Sequence, residues 1–153
     1  TISVGVTGVQ TCALPILYTK LWLSIIGLHA LHQIEESISF FRWYIECYDR
    51  IPDWLHIQSA DNARLVVAHP EYFIFATLLQ LLFVSVLAFA FRRNERVTRL
   101  LIWCYLAGLS FFIVWHILIC YFAHSYAPVM VTCIGGLYLI PLFAYKLYKL
   151  GKR

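Results

Sequence analysis

The chain has 153 residues, of which 61% are hydrophobic and only 13% charged, and its mean hydropathy is +0.74. A soluble domain is about half apolar and about a quarter charged, so one core of this size cannot hide the excess, and lipid is the natural solvent. The formal charge of +4 does not point to nucleic acid, because the basic residues flank apolar segments, where a membrane explains them.

In chain order, the first feature is Val6–Ile16, VTGVQTCALPI, which reads as the forward translation of a sequencing-library adapter. The chain opens on Thr1 and its single methionine is Met130. Residues 1–16 are therefore taken as a non-native stretch and residues 17–153 as the membrane domain.

Four stretches match the roughly 20 apolar residues that cross a bilayer core. They lie at about 21–41, 72–91, 100–122 and 129–147, and they predict an all-α, four-helix transmembrane bundle. Pro70 stands just before the second, where proline suits a first helical turn. The fourth contains Gly135, Gly136 and Pro141, of which the small pair favours close helix packing. The first loop, 42–69, is long and mixed in charge, with a short interfacial helix expected at Ala60–Ala68.

With four spans, one side of the membrane carries Lys20, Arg92, Arg93, Arg96, Arg99, Lys146, Lys149, Lys152 and Arg153. The other carries only Arg42, Arg50 and Arg64, amid five acidic residues. Nine against three places both termini in the cytoplasm. Aromatic residues at both ends of the spans, such as Trp22 and Tyr145 inside and Trp43 and Tyr126 outside, fit the same boundaries.

The first span is the least pure, because it carries His29, His32, Glu35 and Glu36. At about 100° per residue these four fall within an arc of roughly 120°. Ionisable groups on a membrane helix are costly, so they face a bundle interior and mark function. Depth agrees across helices. From the cytoplasmic end, Glu36 lies roughly 23 Å in, and His116 of the third span roughly 24 Å.

A His and a Glu at i and i+4 can bind one metal, and His32 with Glu36 supplies that spacing. His116 would complete a two-His, one-carboxylate set suited to iron, manganese or zinc, with positions left open for substrate. Glu35 is then a second ligand, a catalytic base or a supporting partner. Metal-free acid/base chemistry by the same groups is the alternative. A purely structural polar knot is another, and for His29 the structural reading is favoured. The five cysteines form no C-x-x-C pair, and Cys104, Cys120 and Cys133 read as small hydrophobes within apolar runs.

His32-Gln33-Ile34-Glu35-Glu36 on a first hydrophobic helix resembles the signature of the HXXEE family, small bacterial membrane proteins without an assigned activity. The resemblance continues through His116, then Tyr126-Ala127-Pro128-Val129-Met130-Val131-Thr132, and later Pro141, which is similar to the family's H…Y-x-P-G-x-x-T…P pattern. Val129 stands where the family has Gly, and Phe112 stands where an Asn is expected one turn before the His. The resemblance carries over His32, Glu35, Glu36 and His116 and supplies no reaction. His32-x-x-x-Glu36 within a small helical bundle is also similar to the emopamil-binding/sterol isomerase type, which implies acid and base roles.

The resulting expectation is a multi-pass protein of the bacterial inner (plasma) membrane, with the bilayer as its first partner and no nucleic acid. Its site takes a divalent metal (Fe, Mn or Zn) through His32, Glu36 and His116, with Glu35 as catalytic base. The substrate is a lipophilic or small molecule. A proton-relay or transport role stands against this, and with so few spans it would require a homo-oligomer.

Overall fold

A computed structural model describes residues 7–152, with side chains from Ile16 onward. Residues 1–6 of the adapter-like stretch, and Arg153 from the basic count, lie outside the described residues; for 7–15 only the helical backbone is described. The described residues form five α-helices: α1 (Thr7–Cys47), α2 (Ala60–Ala68), α3 (Pro70–Phe91), α4 (Glu95–Ala123) and α5 (Met130–Leu150). Two single 3-10 turns, Tyr48–Arg50 and Asp53–Leu55, lie between α1 and α2. The short helix expected at Ala60–Ala68 forms with those bounds, and Ser59 caps it by accepting from the Asn62 amide at 3.1 Å.

Helices α3, α4 and α5 are each long and apolar enough to cross a membrane. In α3 the point is plainest: Val84 is its one buried residue, while Phe75, Leu78, Leu82, Phe83 and Phe89 face outward. Water would not tolerate so continuous an apolar surface; lipid would. The regular structure of the described residues is thus all-helical, with three candidate membrane helices among them. Helix α1, 41 residues long, carries the ionisable groups.

Three helices share one interior seam. On α1 the buried positions Tyr18, Trp22, Ile25, His29, His32, Phe40, Trp43, Tyr44 and Cys47 recur at three- and four-residue steps, and half-buried Glu36 fills the step between His32 and Phe40. On α4 the series is Thr98, Ile102, Leu106, Leu109, Ile113, His116, Ile119 and Ala123. On α5 it is Cys133, Gly136, Ile140, Phe143 and Leu147. The imidazoles of His32 and His116 and the thiol of Cys133 thus occupy core positions of three different helices. Helix α3 packs more loosely, touching α1 through the Phe41–Phe73 ring pair at 4.8 Å.

The helix ends set the register. Asn94 caps α4 by accepting from the Val97 amide at 3.2 Å. At its other end His124 takes the left-handed conformation, φ 47°, and the Ser125 amide reaches back to the Cys120 carbonyl. Val129, where the resembled pattern has Gly, has φ −78° and ψ 2°. No left-handed residue is needed there, so a buried Val is accommodated. The close approach of α4 and α5 rests on Gly136, where a Cβ would collide with the Ile113 Cδ1.

The first loop folds back over the end of the seam where α1 finishes. Trp115 Nε1 donates to the Leu55 carbonyl at 2.6 Å, and Tyr44 Oη contacts His56 Nδ1 at 2.9 Å and the Gln58 carbonyl at 3.0 Å. Trp43 Nε1 donates to Ser125 Oγ at 2.9 Å and ties α1 to the α4–α5 turn.

Candidate functional site

The four residues expected from the sequence are His32, Glu35, Glu36 and His116, and the fold gives each a different environment. His32 and His116 come together, with ring centroids 4.9 Å apart in an edge-on arrangement. Both are almost fully buried, at 5% and 1% exposure.

Each imidazole is oriented through Nδ1. His116 Nδ1 lies 2.9 Å from the backbone carbonyl of Phe112. A carbonyl can only accept, so Nδ1 carries the hydrogen. The backbone one turn earlier thus holds the ring where an Asn side chain is missing. Phe40 and Trp115 fix it further, with centroids 4.8 and 4.7 Å away.

His32 is held by a longer chain of bonds. Its Nδ1 lies 2.7 Å from Thr132 Oγ1. Thr132 in turn gives both its hydroxyl and its backbone amide to the Glu35 carboxylate, the amide bond measuring 3.0 Å. The hydroxyl has one hydrogen, and the carboxylate takes it. His32 Nδ1–H therefore donates to Oγ1. Glu35 also caps the first turn of α5, an amide cluster that favours negative charge.

This bonding leaves one atom free on each ring. With the rings neutral, Nε2 of both His32 and His116 presents a lone pair, and among the described residues neither finds a hydrogen-bond partner although both are buried. An unpaired buried polar atom carries a desolvation penalty of about 1–3 kcal/mol. The two edge-on rings thus each leave one ring nitrogen unpartnered. Cys133 supplies a third donor: its Sγ and one nitrogen from each imidazole lie within 4.8 Å of one another, and all three residues are buried. Sequence reasoning treated Cys133 as a hydrophobe.

Glu36 is not part of this tight group. Its half-buried carboxylate lines a cavity of about 270 Å³ that also touches His32, His116, Gln33, Thr77 and Gln80, with the remaining wall mostly apolar. Among the described residues Glu36 accepts no hydrogen bond, in contrast to Glu35. Ile57, Gln58 and Val66 of the first loop and α2 complete the cavity wall.

His29 belongs to a separate, closed network. Thr77 Oγ1 donates to Gln33 Oε1 at 2.9 Å, and Gln33 Nε2 donates to His29 Nε2 at 3.2 Å. His29 Nδ1 then donates to Tyr105 Oη at 2.5 Å. Every ring nitrogen is satisfied, and the chain of bonds ties α3, α1 and α4 together.

Residues 22–145 match the family described as protein of unknown function with HXXEE motif. The chain belongs to the HXXEE family. Comparison with curated proteins and with solved structures found no match. The HXXEE motif is His32-Gln33-Ile34-Glu35-Glu36 here. Its three named positions do distinct things in the fold: His32 meets His116, Glu35 clasps the start of α5, and Glu36 faces the cavity.

Proposed function

We propose that this HXXEE protein is a four-span membrane enzyme whose intramembrane site binds a divalent metal and acts on a lipophilic or small molecule held in the cavity. The supporting observation is the pair of buried, unpartnered Nε2 atoms on His32 and His116, each with its Nδ1 already anchored. Metal-bound histidines almost always carry such an anchor, to a carboxylate directly or to a carbonyl. Here Phe112 provides the carbonyl and Glu35, through Thr132, the carboxylate.

In this reading α1 is the first span, both termini are cytoplasmic, and the first loop lies on the outer side. His32 and His116 hold the metal. The base role expected of Glu35 passes to Glu36, which faces the cavity with free lone pairs, while Glu35 positions His32. A bound metal would supply Lewis-acid polarisation of a substrate oxygen or an activated water. The cavity is near the lower end of the roughly 300–1,000 Å³ usual for ligand sites, which favours a slender or small substrate.

The experiment is to reconstitute purified protein in vesicles of total bacterial lipid extract and to follow their composition by mass spectrometry. A mass change made by the wild type and not by Glu36→Gln supports the enzyme reading. Identical lipid profiles with both proteins count against it.

A further inference from the structure

The geometry points to Cys133 as the third protein ligand of the metal, with His32 and His116, so that the site is a two-His, one-thiolate centre for zinc and Glu36 is left unligated. This rests on the metal reading above and specifies it. The sequence spacing alone favours His32 with Glu36. The fold instead gathers His32, His116 and Cys133, whose donor atoms lie within 4.8 Å of one another. The three residues are 5%, 1% and 0% exposed, and the two imidazole Nε2 atoms have no partner among the described residues.

The three donors come from three helices, which gives the centre a structural consequence. α1, α4 and α5 would be joined at one point, level with the Glu35–Thr132 clasp. Both imidazoles line the cavity and Cys133 does not. Thiolate is thus supplied from behind, and the exchangeable position is on the cavity side, where Glu36 stands. Three protein ligands with one open position is the pattern of catalytic zinc, and a thiolate favours zinc over manganese. On binding, the Cys133 thiol loses its proton to solvent as the sulfur–metal bond forms.

Cobalt(II) is the probe. Chelator-treated full-length protein in detergent is titrated with Co²⁺, and bound cobalt and the ultraviolet–visible spectrum are read together. The expected result is one cobalt per chain with a near-ultraviolet thiolate-to-cobalt charge-transfer band. That band is retained in Glu36→Gln, lost in Cys133→Ser, and removed by added Zn²⁺ but not by equal Mn²⁺. Stoichiometric cobalt without the band in the wild type overturns Cys133 as a ligand while the metal reading stands. So does a band that persists in Cys133→Ser, and loss of the band in Glu36→Gln overturns the unligated Glu36. Equal displacement by Mn²⁺ overturns the preference for zinc. If the wild type binds no cobalt, both the proposal and the metal reading fail. The wild-type and Glu36→Gln results do not depend on whether Cys133→Ser folds.

Discussion

Glu35 on α1 grips Thr132 on the first turn of α5 by both its backbone amide and its hydroxyl, and the same hydroxyl receives Nδ1–H of His32. One contact therefore does two jobs: it caps a helix and it aims an imidazole. It also gives a physical reason for the two motif blocks to occur in one chain, since the first Glu of the motif and the Thr of the second block are bonded partners.

Thr132→Val keeps the side-chain shape but removes the hydroxyl. His32 Nδ1–H then loses its partner, a loss of about 1–3 kcal/mol for a buried group left unpaired, while the Glu35 oxygen keeps the Thr132 amide. Thermal unfolding in detergent should show that loss, and metal affinity should fall by roughly 10–100-fold, as when a ligand's supporting partner is removed. Thr132→Ser should behave like the wild type. A defect in Thr132→Ser with none in Thr132→Val would mean that the methyl group, not the hydroxyl, matters.

The two motif carboxylates should separate by phenotype. Glu35→Gln weakens the α5 cap and should lower stability by about 1–2 kcal/mol. Glu36→Gln removes no hydrogen bond among the described residues, so stability should hold while the site's activity is lost. Paired melting and activity measurements check this. The reverse assignment would restore Glu35 as the catalytic base.

Packing of α4 on α5 gives a test independent of chemistry. Gly136→Ala would drive a Cβ into the Ile113 Cδ1, the movable end of that side chain, so a rotamer shift costing about 0.5–1.5 kcal/mol is expected. Ile113→Val should recover much of that loss. Gly135→Ala should be tolerated, since its added Cβ would meet nothing within 4 Å. Equal melting temperatures for all of these variants would contradict the register of the two helices.

Orientation is checked by reporter fusions. Green fluorescent protein after Asn94 or Gly151 should fluoresce, and alkaline phosphatase after Gln58 or Tyr126 should be active. Reporter activity alternating in the opposite sense would contradict cytoplasmic termini, and a terminus on each side would remove α1 as a span.

Much of this was legible in the sequence because it depends on local rules. Apolar run length located α3, α4 and α5, and helical spacing put His32 and Glu36 on the interior seam of α1. Depth put Glu36 and His116 at one level, and both do line one cavity, but the ring that meets His116 is His32, one helical turn away on α1. The helix itself runs past the apolar span: α4 begins at Glu95 because Asn94 caps it. Cys133 was not legible as a donor. Its neighbours depend on how α5 slides against α1 and α4, which is set by the Glu35–Thr132 clasp and by Gly136 against Ile113. Separate roles for Glu35 and Glu36 were equally hidden, because adjacent residues differ by about 100° and only the packed neighbours say which one meets a helix end and which a cavity.

On the proposed function, the bare Nε2 atoms of His32 and His116 hold a metal. Elemental analysis of protein purified in detergent without chelator, beside His32→Ala and His116→Ala, tests it most directly. The account predicts close to one metal per chain in the wild type and loss of it in both variants. A wild-type protein free of stoichiometric metal, or variants that keep it in full, would contradict the account.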